Sequence, residues 1–144
     1  MTSAEIYELM NGNPFFYLAT LDRDTPRVRG MMLFKAGADG IYFHSGTFKA
    51  LHKQIVANSR AELCFFDPKS GTQVRVNGNL EIVEGDAMKL EMIKHPSRAF
   101  LKKWMEEGDA KEFLKKFSVY RLHGGTATVW TFATNFEPQE WNPL

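Results

Sequence analysis

The most regular alternation of apolar and polar residues in this chain runs from Thr72 to Glu84. Side chains of a strand point alternately to its two faces, so the alternation predicts a strand with one buried and one polar face. The apolar face holds Val74, Val76, Leu80 and Ile82, and the polar face holds Gln73, Arg75, Asn77, Asn79 and Glu81. Gly78 interrupts the alternation and predicts a bulge or a bend, as a barrel needs at a corner.

Shorter apolar stretches and helical spacings predict the remaining elements. Further strands are expected at Phe15 to Leu21, Pro26 to Lys35, Gly40 to His44, Ala61 to Phe66, Phe117 to Leu122 and Thr126 to Phe132. Helices are expected at Thr2 to Asn11, Thr47 to Asn58 and, in pieces, Asp86 to Lys116. Gly124-Gly125 is typical of a hairpin between the last two strands. Helices inserted between turn-connected strands favour an α+β fold on an antiparallel sheet or barrel, in one domain spanning residues 1–144.

Composition and charge exclude several classes of protein. The formal net charge of +1 excludes a strongly basic nucleic-acid-binding protein, and a single cysteine, Cys64, excludes an intrachain disulfide. The four histidines share no metal-ligand spacing, so no metal site is expected. The N-terminus lacks the pattern of a signal peptide, and no stretch approaches the roughly 20 apolar residues of a membrane span. We therefore expect a cytoplasmic protein that does not bind membranes.

Two arginines on one strand face form the first candidate site. Arg27, Arg29 and Met31 lie on the same face because of the period of two. Neighbouring guanidinium groups repel each other unless they meet an anion, and arginine can grip a phosphate through two hydrogen bonds. The alternative is a solvated strand face without a ligand.

A strand-to-helix junction at Tyr42 to Thr47 forms the second candidate site. The predicted helix start would leave backbone N–H groups free at Ser45 to Phe48, where an anion is favoured. Ser45 and Thr47 add hydroxyl groups, and Lys49 in the first turn opposes the helix dipole unless a negative ligand is near. An ordinary capped surface helix is the alternative.

A polar strand residue, Gln73, is the third candidate, since its amide can both donate and accept hydrogen bonds to the edge of a heteroaromatic ring. Polar residues are common on strand faces, so Gln73 is a weak signal on its own. The chain has no P-loop, Rossmann fingerprint or Gly-x-Ser-x-Gly motif.

Five segments in order resemble the FMN-binding split-barrel family, whose best-known member is pyridoxamine 5'-phosphate oxidase. They are Phe16 to Leu21, Arg27-x-Arg29, Tyr42 to Gln54, Glu62-Leu63-Cys64 and Gln73 to Gly78. The resemblance implies an antiparallel split β-barrel, bound FMN and a homodimer with flavin sites at its interface. It implies that the cofactor contacts come from Arg27, Arg29, Gly30, Met31, Met32, Tyr42, Phe43, His44, Ser45, Thr47, Lys49, Gln73 and, from the partner, Trp130.

Within that set the resemblance implies different roles. Arg29 and Lys49 would hold the FMN phosphate, with Ser45 and Thr47 beside them. The backbone from Gly30 to Leu33 would run along the isoalloxazine ring, and Gln73 would contact that ring.

The chain departs from the oxidase itself near its C-terminus. The oxidase carries an Arg-x-His substrate element after its last strands, whereas Arg121-Leu122-His123 precedes the final strand here. The chain therefore resembles the short members called general stress proteins, without the specific vitamin B6 oxidase activity. The expected function is an FMN-dependent oxidoreductase acting on an unidentified small molecule. The alternatives are a flavin store or sensor without turnover, or a barrel that binds deazaflavin cofactor or haem, with His44 or His123 as axial ligand.

Overall fold

The computed structural model describes residues 1–144, which form nine strands and five helices. The strands are β1 (Phe15–Asp22), β2 (Thr25–Met32), β3 (Lys35–Gly37), β4 (Gly40–Gly46), β5 (Arg60–Asp67), β6 (Thr72–Ile82), β7 (Phe117–Leu122), β8 (Thr126–Trp130) and β9 (Asn142–Pro143). The helices are α1 (Ser3–Gly12), α2 (Ala50–Ala57), α3 (Ala87–Lys94), α4 (Ala99–Glu107) and α5 (Ala110–Lys116), with a 3₁₀ turn at Pro96–Arg98. No helix combines the length and apolarity that a membrane crossing requires.

All strand pairs are antiparallel, in the order β2-β1-β5-β6-β7-β4-β3, with β8 also paired to β6 and β9 to β8. Strand β6 belongs to both halves of this sheet, because its first part pairs with β8 and its last part with β7. The change of partner falls at Gly78, where a Cβ atom would lie 3.3 Å from the Cα of Gly125. The corner predicted at Gly78 is therefore present. The α+β antiparallel barrel predicted from the sequence is confirmed.

The hairpin predicted at Gly124-Gly125 is wrong. Strands β7 and β8 both pair with β6 and run in the same direction along it, so they do not pair with each other. Strand β7 already lies between β4 and β6 and has no free edge for β8. The two glycines, with Gly124 at φ +67°, offset the chain where it passes the barrel corner.

Two predicted boundaries also differ from the structure. The strand predicted at Pro26 to Lys35 is two strands, because the chain turns after Met32 and the Phe34 amide donates to the Tyr42 carbonyl. Helix α2 begins at Ala50 rather than Thr47, because β4 continues to Gly46, which pairs with Phe117 of β7. The capping box of α1 is present, since the Glu5 amide donates to the Thr2 hydroxyl and the Thr2 amide to the Glu5 carboxylate.

Two apolar clusters hold these elements together. The larger one fills the barrel beneath α1 and α2 and includes Phe16, Phe43, Phe65 and Tyr120, all fully buried. The smaller one lies beneath α3, α4 and α5 and includes Tyr42, Met92, Leu101 and Phe117. The strand edge of β2 and the start of α2 lie where the two clusters meet, and this junction carries the candidate site.

Candidate functional site

A cavity of about 630 Å³ opens at the free edge of β2, between that strand, the start of α2 and helices α4 and α5. Its walls include three cations, Arg29, Lys49 and Lys116, and no aspartate or glutamate. Three positive charges without a carboxylate repel one another, so an anion bound among them is stabilised. The charge of the cavity therefore favours an anionic ligand.

Arg29 is held at the rim of this cavity by a buried network of hydrogen bonds. Its guanidinium donates to the Thr20 hydroxyl at 2.7 Å and to the Gln54 side-chain oxygen at 2.6 Å. The Thr20 hydroxyl itself donates to the same Gln54 oxygen at 2.7 Å. Thr20 and Gln54 are both buried, and desolvation followed by repulsion from Arg27 lowers the pKa of Arg29. No carboxylate neutralises Arg29, so its charge remains available to a ligand.

The start of helix α2 adds two free hydrogen-bond donors. The amides of Thr47 and Lys49 are taken by the carbonyls of Lys116 and Gly46, at 2.8 and 3.1 Å. The expectation of free amides at Ser45 to Phe48 is therefore wrong for Thr47, whereas the Phe48 amide has no acceptor in the chain. The amides of Ala50 and Leu51 have no acceptor in the chain, and both residues line the cavity. Free amides at a helix N-terminus favour an anion. The start of α2 at Ala50 therefore still offers donors to an anion in the cavity.

His44 separates this cavity from a second one and stays uncharged at neutral pH. Its ring stacks on Phe117 with centroids 4.9 Å apart, and its Nδ1 is buried without a hydrogen-bond partner. Burial, followed by the charges of Arg98 and Lys49, lowers the pKa of His44 to about 4. The imidazole can therefore donate or accept a hydrogen bond without adding a fourth charge.

Aromatic side chains form part of the cavity wall beside the cations. Phe48 and Trp104 are exposed at the rim, while Phe113 stacks on Phe117 with centroids 5.8 Å apart. Helices α4 and α5 supply Trp104 and Phe113. A cavity lined by both cations and aromatic rings suits a ligand that joins an anionic group to an apolar or ring portion.

The structure brings six of the residues expected to contact the cofactor into this cavity: Arg29, Gly30, Met31, His44, Ser45 and Lys49. Arg27 lies outside it and forms an exposed ion pair with Asp22 at 3.3 Å. Thr47 lies outside it as well. The side chains of Tyr42 and Phe43 are buried in the two apolar clusters and do not line the cavity.

Gln73, Trp130 and Met32 lie on the outer face of the sheet, away from the cavity. Gln73 pairs with Trp130 across the β6–β8 ladder and with Phe66 across the β5–β6 ladder. A groove of about 680 Å³ on this face is lined by Gln73 and Met32 together with the exposed side chains of Phe15, Tyr17 and Phe66. Arg29 pairs instead with fully buried Leu18, on the core side of the sheet. One chain therefore does not bring Arg29 and Gln73 into a common cavity.

Sequence reasoning missed Thr20, Gln54 and Lys116. Gln54 and Lys116 lie far along the chain from Arg29 and approach it only when α2 and α5 pack beside β2. Thr20 is nine residues away and reaches Arg29 across the β1–β2 pair, so its contact depends on the register of that pair. Gln54 lies with Leu51 and Ile55 on an otherwise apolar helix face. A buried polar side chain needs a hydrogen-bond partner, so this position could have predicted one.

The depressed pKa of His44 predicts how stability depends on pH. As the pH falls from 6.5 towards 4, the unfolded chain binds a proton at His44 that the folded chain does not bind. The free energy of unfolding of the ligand-free protein should then fall by on the order of 3 kcal/mol from this group. His44→Phe keeps an aromatic ring beside Phe117 and loses no hydrogen bond, so its loss over that pH range should be smaller by this amount. Urea unfolding at pH 7 and pH 4.5 measures the difference, and parallel losses in both proteins would contradict the assignment.

Comparison with known proteins relates this geometry to a family. The sequence profile described as Pyridoxamine 5'-phosphate oxidase matches residues 2–131. Comparison with curated protein sequences gives no match. A NimC/NimA family protein from Clostridium acetobutylicum is similar in structure, with a TM-score of 0.76 at 23% identity, covering 99% of this chain and 93% of that one.

Three further structures share the fold. A Clostridium acetobutylicum protein related to general stress protein 26, of the pyridoxinephosphate oxidase family, has a TM-score of 0.73 at 16% identity over 98% of this chain and 93% of that one. A pyridoxamine 5'-phosphate oxidase-related, FMN-binding protein from Nostoc punctiforme has a TM-score of 0.63 at 18% identity, over 98% of this chain and 94% of that one. A haem-binding protein from Mycobacterium smegmatis has a TM-score of 0.68 at 15% identity, over 99% of this chain and 58% of that one. Because the profile spans most of the sequence and the fold agrees, this chain belongs to the pyridoxamine 5'-phosphate oxidase family of split barrels.

Proposed function

We propose that the protein binds FMN and acts as an oxidoreductase on a small organic molecule. The observation that carries this proposal is the cavity at the edge of β2, where three cations and two free amides converge without a carboxylate. Family membership and the FMN-binding neighbour from Nostoc punctiforme support the choice of anion.

The residues of the cavity suit a phosphate monoester. Arg29 offers a fixed guanidinium, Lys49 and Lys116 offer ammonium groups, and the amides of Ala50 and Leu51 offer directed donors. A phosphate dianion accepts many charge-assisted hydrogen bonds and would neutralise most of the excess charge. The absence of a dinucleotide fingerprint favours FMN over FAD.

The edge strand β2 is the proposed support for the flavin ring. It pairs only with β1, so the backbone groups on its other side are free along Gly30 and Met31. A bound flavin supplies hydride transfer, while the protein supplies binding, orientation and a controlled environment. The aromatic wall of Phe48, Trp104 and Phe113 would exclude water from the bound ligand. His44 would offer a neutral hydrogen-bonding group beside it.

We further propose that the working unit is a homodimer with two flavin sites, each built from both chains. The outer sheet face exposes Phe15, Tyr17, Met32 and Phe66 as a continuous apolar surface beside Gln73. Exposed apolar patches of this kind mark interfaces. Since Gln73 and Trp130 lie on that face and Arg29 does not, they would serve the partner's flavin rather than their own.

A flavin store or sensor would use the same cations and the same strand edge. Anaerobic mixing with NADH or NADPH separates the two functions, because an oxidoreductase should show bleaching of the flavin absorbance and an inert carrier should not. A red protein with a Soret band would instead show haem in this barrel.

Arg29→Ala should weaken the binding of FMN far more than the binding of riboflavin. The loss of a charge-assisted contact to phosphate costs about 1.5–3 kcal/mol, roughly a tenfold to hundredfold change in Kd. Riboflavin lacks the phosphate and should lose little. Fluorescence titration of both ligands into the ligand-free protein measures the two affinities.

Arg27→Ala is the matched control, because Arg27 lies two residues away on the same strand but pairs with Asp22 outside the cavity. It should leave the Kd for FMN within about threefold. If Arg29→Ala weakened FMN and riboflavin binding equally, Arg29 would not be a phosphate ligand. The same would follow if Arg27→Ala weakened FMN binding as much as Arg29→Ala does.

The shared site predicts that two defective chains complement each other. A mixed dimer of Arg29→Ala and Trp130→Ala chains would contain one site with both residues intact and one with both lost. Co-expression of differently tagged chains, followed by titration of FMN per mixed dimer, should recover about one tight site. Two equally weakened sites would place both residues in one chain's cavity, and a monomer by light scattering at micromolar concentration would refute the dimer.

A further inference from the structure

A second cavity, of about 500 Å³, adjoins the first and contains a buried arginine without a counter-ion. It lies beyond the end of β2, between the turn at Met32 to Phe34 and the 3₁₀ turn that carries Arg98. His44 lines both cavities and so marks where they meet. No aspartate or glutamate lines the second cavity.

Arg98 is only 4% exposed and forms no ion pair with any carboxylate of the chain. One end of its guanidinium donates to the carbonyls of Leu33 at 2.9 Å and Met32 at 3.3 Å. Its Nε is buried and has no partner. Charged side chains are almost never fully buried unless they are paired, so both the net charge and the free donor call for an anionic partner.

The surroundings of Arg98 restrict the shape of that partner. The guanidinium lies 5.9 Å from the centre of the Phe34 ring, and His95 meets the same ring edge-on at 5.3 Å. Phe100 and Ser97 complete the walls near the arginine. The rings of Phe34 and Phe100 suit an aromatic portion of the ligand. The Ser97 hydroxyl donates to His95 Nδ1 at 2.7 Å, so Nε2 is the ring nitrogen of His95 that is left for a further hydrogen bond.

We propose that the Arg98 cavity binds the carboxylate of a small planar, aromatic organic acid, which is the substrate class of the neighbouring flavin site. One unpaired cation balances one negative charge. A phosphate dianion would need more donors than Arg98 has left, since its other groups hold the carbonyls of Met32 and Leu33 and contact Ser97. The assignment as substrate rests on the proposed flavin function, whereas carboxylate binding itself does not.

Isothermal titration calorimetry on the FMN-loaded protein tests the proposal, with benzoate as the probe and benzamide as its neutral match. FMN occupies the first anion site, so benzoate does not compete for it, and the Arg98→Met variant assigns the benzoate signal to the second cavity. Benzoate should bind at least tenfold more tightly than benzamide. Arg98→Met should abolish that preference and leave the affinity for FMN within about twofold, and Arg98→Lys should restore part of it.

Equal affinities for benzoate and benzamide would overturn the proposal, as would displacement of benzoate by an equal concentration of inorganic phosphate. If Arg98→Met fails to fold, the benzoate-against-benzamide comparison in the unaltered protein still decides, and the ring resonances of His95 and Phe34 should shift with benzoate alone. A protein that binds benzoate but not FMN would refute the flavin function and keep the carboxylate site. A protein that binds FMN but not benzoate would refute only this inference.

Discussion

The buried hydrogen bonds among Arg29, Thr20 and Gln54 fix the relation between the edge strand β2 and helix α2. Gln54 belongs to α2, Thr20 to β1 and Arg29 to β2, so the network joins the three elements at one point. The free amides of α2 are thereby held at a set position from the guanidinium, with Lys49 at the start of the same helix. Because the donors are positioned before a ligand arrives, binding an anion would cost little reorganisation. The rest of the candidate site depends on this constraint.

Positive charge without local neutralisation is common to both cavities. Arg29, Lys49 and Lys116 surround the first, and Arg98 lies in the second, although the whole chain carries a net charge of only +1. The acidic residues that balance the total lie elsewhere, in exposed pairs such as Arg121 with Glu81. Desolvation of Arg29 and Arg98 raises the free energy of the ligand-free protein, and bound anions would lower it. His44 between the cavities avoids a further charge because its pKa is about 4.

The sequence predicted those features that depend on neighbours along the chain. Alternation predicted β6 and its corner at Gly78, and the period of two placed Arg29 and Met31 on one face of β2. The wrongly predicted hairpin and the wrongly predicted start of α2 at Thr47 share a cause, because both depend on hydrogen bonds to a distant strand. Strand β8 pairs with β6, and the end of β4 pairs with β7. Lys116 and Arg98 escaped prediction for the same reason. Each reaches its cavity from the helical segment between β6 and β7, and charged residues are ordinary in such a segment.

The central claim is that the cations at the edge of β2 hold the phosphate of FMN. The ³¹P resonance of bound FMN measures this directly, because its chemical shift reports the protonation of the phosphate. Free phosphate monoesters take up a proton near pH 6. In contact with Arg29, Lys49 and Lys116 the phosphate should remain a dianion, with an unchanged resonance as the pH is lowered from 8 to 5. A bound phosphate that titrates near pH 6, as in free FMN, would show that it lies in solvent and would contradict this account of the site.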